Sequence, residues 1–245
     1  MDLSLGGKNA LIIAGEWILG ADLALSFSRE GAGVYLFVER HDIRGSGDEH
    51  LDDSINLLKG SLSNPGELVK ADDTPFDFNN VDILVFSHQS FPPGSFLQIS
   101  PETWKIEVIG QLKTACFLTK AAIKGMVERK NGRVIFITSC AGLSGAEHLS
   151  SVSTLGTGII GFCKSLSREL LGYGITVNCI SFGLMQFEDA ILDDIKKKNR
   201  DVLKYTGLKR FETVRDISNG ALFLASSRSD YITGQILNIS GGLLI

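Results

Sequence analysis

Few residues in this 245-residue chain combine a reactive type with a suggestive position. His88 follows the apolar run "DILVFS" (82–87), and Ser139 closes "RVIFITS" (133–139) with Cys140 beside it. His148 lies in the loop beyond, and Glu188 with Asp189 follow Phe187. A histidine or carboxylate at the mouth of a cleft can act as general acid or base, and a thiol becomes a nucleophile when its pKa is lowered. No base stands close in sequence to Cys140, which reads as a core residue. Cys116, Cys163 and Cys179 also lie singly in apolar segments, without the paired spacing of zinc or redox sites. The other candidates have bland explanations too. A loop histidine is usually solvated or hydrogen-bonded structure, and Glu-Asp at the start of a helix favours its dipole.

The elements that would hold these residues are short β-branched runs alternating with helical patterns, the order of a doubly wound parallel sheet. Strands are expected over 9–14, 33–38, 55–58, 82–87, 133–139, 175–180 and 235–239. Helices are expected near 20–30, 64–72, 101–129, 152–172, 187–204 and 214–226. Ser100 can cap the helix near 101, Pro101 suits its first position and Glu102 favours its positive end. The polar segment 41–54, "HDIRGSGDEHLDDS", has no helical period, so the crossover helix between the second and third strands is short or missing.

No linker, repeat or low-complexity stretch interrupts this order, and one domain over 1–245 suffices. At 44% hydrophobic residues the chain can bury a sizeable core, which excludes disorder. Its 24 basic and 28 acidic residues give a net charge of -4, and Lys196-Lys197-Lys198 is the sole basic cluster, so nucleic acid is not expected as a partner. No apolar run approaches the ~18 residues of a membrane span. "MDLSLGGKN" lacks the basic-then-apolar order of a signal peptide, so the expectation is a cytoplasmic chain with no membrane partner.

Three phrases carry a family resemblance: "NGRVIFITSCAGLSG" (131–145), "GIIGFCKSLSRELLGYGITVNCIS" (158–181) and "YITGQILNISGG" (231–242). Through them the chain, from about residue 5 to 245, resembles the short-chain dehydrogenase/reductase family, whose members transfer hydride between NAD(P) and a carbonyl or alcohol. The resemblance implies an α/β fold: a Rossmann-type, doubly wound, mostly parallel seven-stranded sheet with helices on both faces. It also implies a site, from which this sequence departs. The family's glycine-rich turn, TGxxxGxG, lets backbone approach the pyrophosphate at a helix N-terminus. Here it is "AGEWILGAD" (14–22), which keeps Gly15 and Gly20, lacks the middle glycine and one residue of the loop, and puts Glu16 and Trp17 where phosphate should lie. The position that binds the adenine ribose or a 2′-phosphate falls on Val38, with Glu39 and Arg40 just beyond. The family's Asn-Asn-Ala-Gly cofactor floor is replaced by Phe86-Ser87-His88-Gln89.

The family's catalytic relay of Asn, Ser, Tyr and Lys fares no better. The serine matches Ser139 and the asparagine aligns with Gln111, but Tyr and Lys fall on Val152 and Gly156, which can neither donate a proton nor carry charge. The Pro-Gly and following Thr at the nicotinamide become Phe182-Gly183 and Phe187. Losses gather at cofactor and catalytic positions while the scaffold phrases survive. No catalytic, cofactor-binding or metal-binding residue is therefore assigned. The resemblance implies instead an inactive structural or regulatory subunit of a hetero-oligomer, expected to be a heterotetramer. Its active paralogue would bind NAD and act on a 3-hydroxyacyl-CoA in anaerobic aromatic degradation.

Family oligomers pair the helices at 101–129 and 152–172 across a twofold axis. In the second helix Thr154, Gly158, Gly161 and Ser165 recur at spacings of three and four, a small-residue stripe that another helix, or the chain's own sheet, can approach closely. Leu155, Ile159, Phe162 and Leu166 form the opposite stripe. Two rivals stay open: a cofactor-independent lyase, cyclase or isomerase using His148, His88 or Ser139, and a sensor that binds a small molecule without turning it over.

Overall fold

The computed structural model describes residues 3, 5–38, 51–60, 67–70, 72–89, 91–183, 185 and 206–244. Seven strands build an all-parallel sheet in the order β3-β2-β1-β4-β5-β6-β7. They are β1 (Asn9–Ala14), β2 (Gly33–Val38), β3 (Ile55–Leu57), β4 (Ile83–Ser87), β5 (Gly132–Ser139), β6 (Ile175–Phe182) and β7 (Ile236–Ile239). The order reverses between β1 and β4, which opens a crevice at the carboxyl ends of those strands. The expected α/β doubly wound fold is present, with every pairing parallel.

Strand residues alternate between two apolar layers, as a sheet buried on both faces requires. On one face Leu11, Ile13, Leu84, Phe86, Val134 and Phe136 meet helices α3 (Gln111–Arg129) and α5 (Ser150–Glu169). On the other, Ala10, Ile12, Ile83, Val85, Ile135 and Ile137 meet α1 (Trp17–Arg29) and α6 (Val214–Ala225). Thr213 caps α6 in a reciprocal capping box with Asp216, which fixes the start of that helix at the carboxyl end of the sheet.

Several boundaries differ from expectation. Residues 68–70 are not helical: Val69 bridges Lys59 and Pro75 in antiparallel fashion, and Leu68 alone turns into the core. Over its described part the expected helix 64–72 is thereby corrected, because Leu68 is used in the core and Val69 in pairing with neighbouring segments of the chain, while 64–66 and 71 lie outside the described residues. The helix over 101–129 is divided into α2 (Pro101–Trp104), a π-helical segment Lys105–Gly110, and α3. Ser100 accepts the Thr103 N–H as its cap, as anticipated. The short helix α4 (Ala141–Ser144) follows β5. The expected helix 187–204 and most of the polar segment 41–54 lie outside the described residues.

Candidate functional site

The crevice is closed from below by the loop after β4. The Gly15 N–H donates to the Ser87 carbonyl at 3.0 Å, and a Cβ at Gly15 would collide with the backbone of His88 and Gln89. Gly20 is required by a second close approach, since a Cβ there would stand 2.8 Å from the Ala14 Cβ and 3.3 Å from Val38. Both glycines are thus explained by packing of the turn and of α1 on the sheet. Glu16 takes the N-cap position of α1 without making a side-chain cap, and half-buried Trp17 packs on the core beneath α1. Val38 is buried at the end of β2, with no polar atom to offer a ribose. Glu39 and Arg40 lie outside the described residues.

His88, proposed above as an acid or base, is instead a structural group. It is 4% exposed; its Nδ1 donates to the Gln89 carbonyl at 2.8 Å, and its Nε2 lies 3.0 Å from the Thr138 hydroxyl. With Nδ1 carrying the proton, Nε2 accepts from Thr138. Burial holds its pKa below the ordinary imidazole value, so the ring is neutral. Gln111, at the exit of the π segment, is also buried and accepts the Gln89 N–H at 3.3 Å. Its amide braces the same loop.

The space around Gly156 is filled by backbone. A Cβ on Gly156 would stand 3.0 Å from both the Gly142 Cα and the Thr138 Oγ1, and a Cβ on Gly142 would stand 2.8 Å from the Gly156 carbonyl carbon. The Thr157 hydroxyl locks the contact by donating to the Gly142 carbonyl at 2.6 Å. Val152, one turn earlier on α5, is 8% exposed. Ser139 accepts the Ala141 N–H at 3.2 Å, starting α4. Thus the ends of β4 and β5 with α3, α4 and α5 bring His88, Thr138, Gln111, Gly142 and Gly156 together, with Ser139 next along β5 and no cation or phenol hydrogen-bonded to this cluster among the described residues.

His148 sits apart. It adopts a left-handed φ of 61°, its carbonyl accepts the Gly94 N–H at 2.9 Å, and its Nε2 is 3.3 Å from the Glu147 carboxylate. With Phe91, Gln98, Glu107 and Val152 it borders a cavity of about 190 Å³. Phe182 is half-buried against the α1/α6 layer. Phe187, Glu188 and Asp189 lie outside the described residues. Cys140, Cys163 and Cys179 are buried free thiols and Cys116 is half-buried. Desolvation raises all four, Cys163 to about 12, so none is an activated nucleophile. Among the described residues no cluster of three or more His, Cys, Asp or Glu is placed to hold a metal, and no helix is long and apolar enough to cross a membrane.

One group escaped the sequence reading. Glu212, 7% exposed, accepts the Gly183 N–H at 2.6 Å through Oε2, while its Oε1 has no partner among the described residues. Burial pushes its carboxyl up to about 8. In the run "RFETVRD" it looks like one solvated charge before a capping Thr, and no local signal marks it as buried.

The fold and this crevice define a dinucleotide-fold oxidoreductase scaffold, and comparison with known proteins agrees. The family model described as enoyl-(acyl carrier protein) reductase matches residues 13–244. Nodulation protein G of Rhizobium meliloti (strain 1021) is 30% identical over 242 residues, 98% of each chain. The (2S)-[(R)-hydroxy(phenyl)methyl]succinyl-CoA dehydrogenase subunit BbsD of Thauera aromatica is 30% identical over 250 residues, again 98% of each. A candidate 2-deoxy-D-gluconate 3-dehydrogenase of Agrobacterium tumefaciens, solved with bound NADP, superposes with a TM-score of 0.83 at 27% identity, covering 99% of this chain and 98% of the other. The chain belongs to the short-chain dehydrogenase/reductase family.

Proposed function

We propose that this chain is a non-catalytic member of its family, serving in the cytoplasm as the structural or regulatory subunit of a hetero-oligomer with an active paralogue. The observation that carries this reading is the backbone contact between Gly142 and Gly156, because it fills the place where the family resemblance puts the catalytic lysine. Proton transfer to or from the substrate oxygen contributes roughly 10²- to 10⁴-fold in such chemistry, and neither Val152 nor Gly156 can perform it. Three observations argue against a dinucleotide in this chain. A carboxylate residue holds the N-cap of α1, Val38 offers the ribose nothing polar, and His88 fills the floor with a ring already committed to Thr138. In this proposal NAD binds the partner subunit.

The likeness to a subunit of a CoA-thioester dehydrogenase supports a 3-hydroxyacyl-CoA as the substrate class of the complex, and the form proposed for that complex is a heterotetramer. Native mass spectrometry after co-expression with a paralogue that keeps TGxxxGxG and YxxxK should return a mixed oligomer. Isothermal titration of the chain alone should give no heat at millimolar NAD or NADP. A micromolar dissociation constant, or failure to co-assemble with any such paralogue, would overturn the reading.

The cavity beside Val152, lined by both Glu107 and His148, favours a second reading, cofactor-independent lyase, cyclase or isomerase chemistry. On that reading His148→Ala abolishes turnover with the oligomer intact. On ours it changes the turnover of the complex by less than about threefold, as a surface substitution does.

A further inference from the structure

The outer face of the α3/α5 layer is made of residues that the fold itself does not use. Along α3, Lys113, Phe117, Lys120 and Lys124 recur at spacings of four, three and four and form one narrow stripe, with Ile109 of the π segment a turn before them. All five are exposed. On α5, Gly161, Lys164 and Arg168 are exposed at spacings of three and four. The two helices lie side by side, since a Cβ at Gly158 would stand 2.9 Å from Leu112.

Two properties of this face do not suit water. Phe117 is 49% exposed, Ile109 55% and Ile106, just before it, 65%. Only Lys113 covers this patch, with its Nζ 6.0 Å from the centre of the Phe117 ring. The charge is also one-sided. Lys113, Lys120, Lys124, Lys164 and Arg168 stand against Glu128 and Glu169, the acids of the two helices, and Glu169 already accepts from Ser165. None of the five cations has an ion-pair partner among the described residues. A helix dipole attracts cations within its last turn, which accounts for Arg168 and leaves the four lysines unexplained. The chain as a whole is negative, so its basic charge is gathered here.

An apolar centre ringed by charged side chains is the anatomy of a protein–protein contact. The sign of the ring selects the partner. A second copy docked about a twofold axis brings the same patch to itself and sets lysine against lysine, which opposes assembly. A subunit with Asp or Glu on its facing helices matches the lysines, and Gly161 lets its backbone come close. We infer that the α3/α5 face docks a different protein subunit, one presenting an acidic helix face around an apolar centre, and that the lysines exclude a second copy of this chain. The inference rests on the hetero-oligomer reading and adds the chemistry by which the partner is chosen. Charges at a rim act on association and on its salt dependence.

The test uses three full-length chains: the parent, the triple variant Lys113→Gln, Lys120→Gln, Lys124→Gln, and the same three positions changed to Glu. Each is measured alone and co-expressed with a paralogue that keeps TGxxxGxG and YxxxK, by sedimentation at about 50 mM and about 500 mM salt. The positions are exposed, so circular dichroism should not change; should the Glu variant fail to fold, the Gln variant carries the comparison. The parent's mixed complex should weaken about tenfold at the higher salt. At the lower salt the Gln variant should bind about tenfold more weakly than the parent and the Glu variant more weakly still, with the salt dependence lost in the Gln variant. Failure of the parent to join any such paralogue removes the hetero-oligomer reading and this inference with it. A mixed complex indifferent to salt and to both variants overturns the inference and leaves that reading standing. Self-association of the parent at low salt that the Glu variant loses shows that the face receives a second copy, and overturns it as well.

Discussion

A side chain at position 156 would have to displace backbone. Even a methyl group there comes within 3.0 Å of Gly142 and Thr138, and Thr138 is itself tied to His88. Neighbours of this kind do not swing aside as a flexible side chain would, so overpacking costs about 1–3 kcal/mol for a methyl and more for a lysine. Val152→Tyr with Gly156→Lys therefore should not create a dehydrogenase. The double variant should instead unfold at lower denaturant concentration than the parent, with no NADH formed from any substrate of the partner enzyme. NADH formation above a partner-free control would mean that α4 moves away and that a cofactor finds a place. The residues of this site were legible in part. Val152, Gly156 and His88 stood out as departures from a family pattern, but that His88 is braced by Thr138 depends on a hydroxyl fifty positions away. Glu212 was invisible, because its burial comes from strands β6 and β7 rather than from its neighbours in sequence.

At the scale of elements, α5 presents two distinct faces. Leu155, Ile159 and Leu166 are buried, and Phe162 packs on Phe136 with ring centroids 5.5 Å apart, as the apolar stripe required. Of the small-residue stripe, Thr154, Gly161 and Ser165 are exposed, which excludes contact with the chain's own sheet. Gly158 departs from the pattern, for a Cβ there would stand 2.9 Å from Leu112 at the start of α3. The two glycines thus separate assembly from folding. Gly161→Glu meets nothing within 4 Å in the isolated chain and should leave the fold intact. In a helix contact it buries an unpaired carboxylate at a cost of several kcal/mol, and should split the oligomer. Gly158→Glu should destabilise the chain itself. Native mass and thermal melting of both variants check this, and an assembled Gly161→Glu would place the interface elsewhere. The strands were readable because β-branched runs between polar segments carry their own signature. The π segment was not, since Ile106 and Ile109 keep a spacing that suits an α-helix equally well. Nor was the fate of 68–70, where bridges from Val69 to Lys59 and Pro75 stand in place of the expected helix.

For the molecule as a whole, two carboxyl groups at the same end of the sheet should shape stability against pH in opposite senses. Asp216 is held below the ordinary carboxylate range, first by its hydrogen bond with Arg210 and then by the Thr213 cap. The stability it contributes is present above its unfolded value near 3.8 and is lost as pH falls below that. Being partly exposed, the pair is screened by solvent, and its share is small. Glu212 is displaced the other way, from 4.5 to about 8, so the folded chain holds a proton that the unfolded chain has already released. Below pH 4.5 the group is protonated in both states and has no effect. Between 4.5 and about 8 each pH unit removes up to about 1.4 kcal/mol, and beyond that the penalty is constant. Glu212→Gln keeps an acceptor for the Gly183 N–H and cannot ionise. Its melting temperature should equal that of the parent at pH 4.5 and exceed it by several degrees at pH 8.5, the gap widening steadily between. A gap independent of pH would mean that Glu212 is ionised in the folded chain at neutral pH, with a counter-charge that offsets its burial.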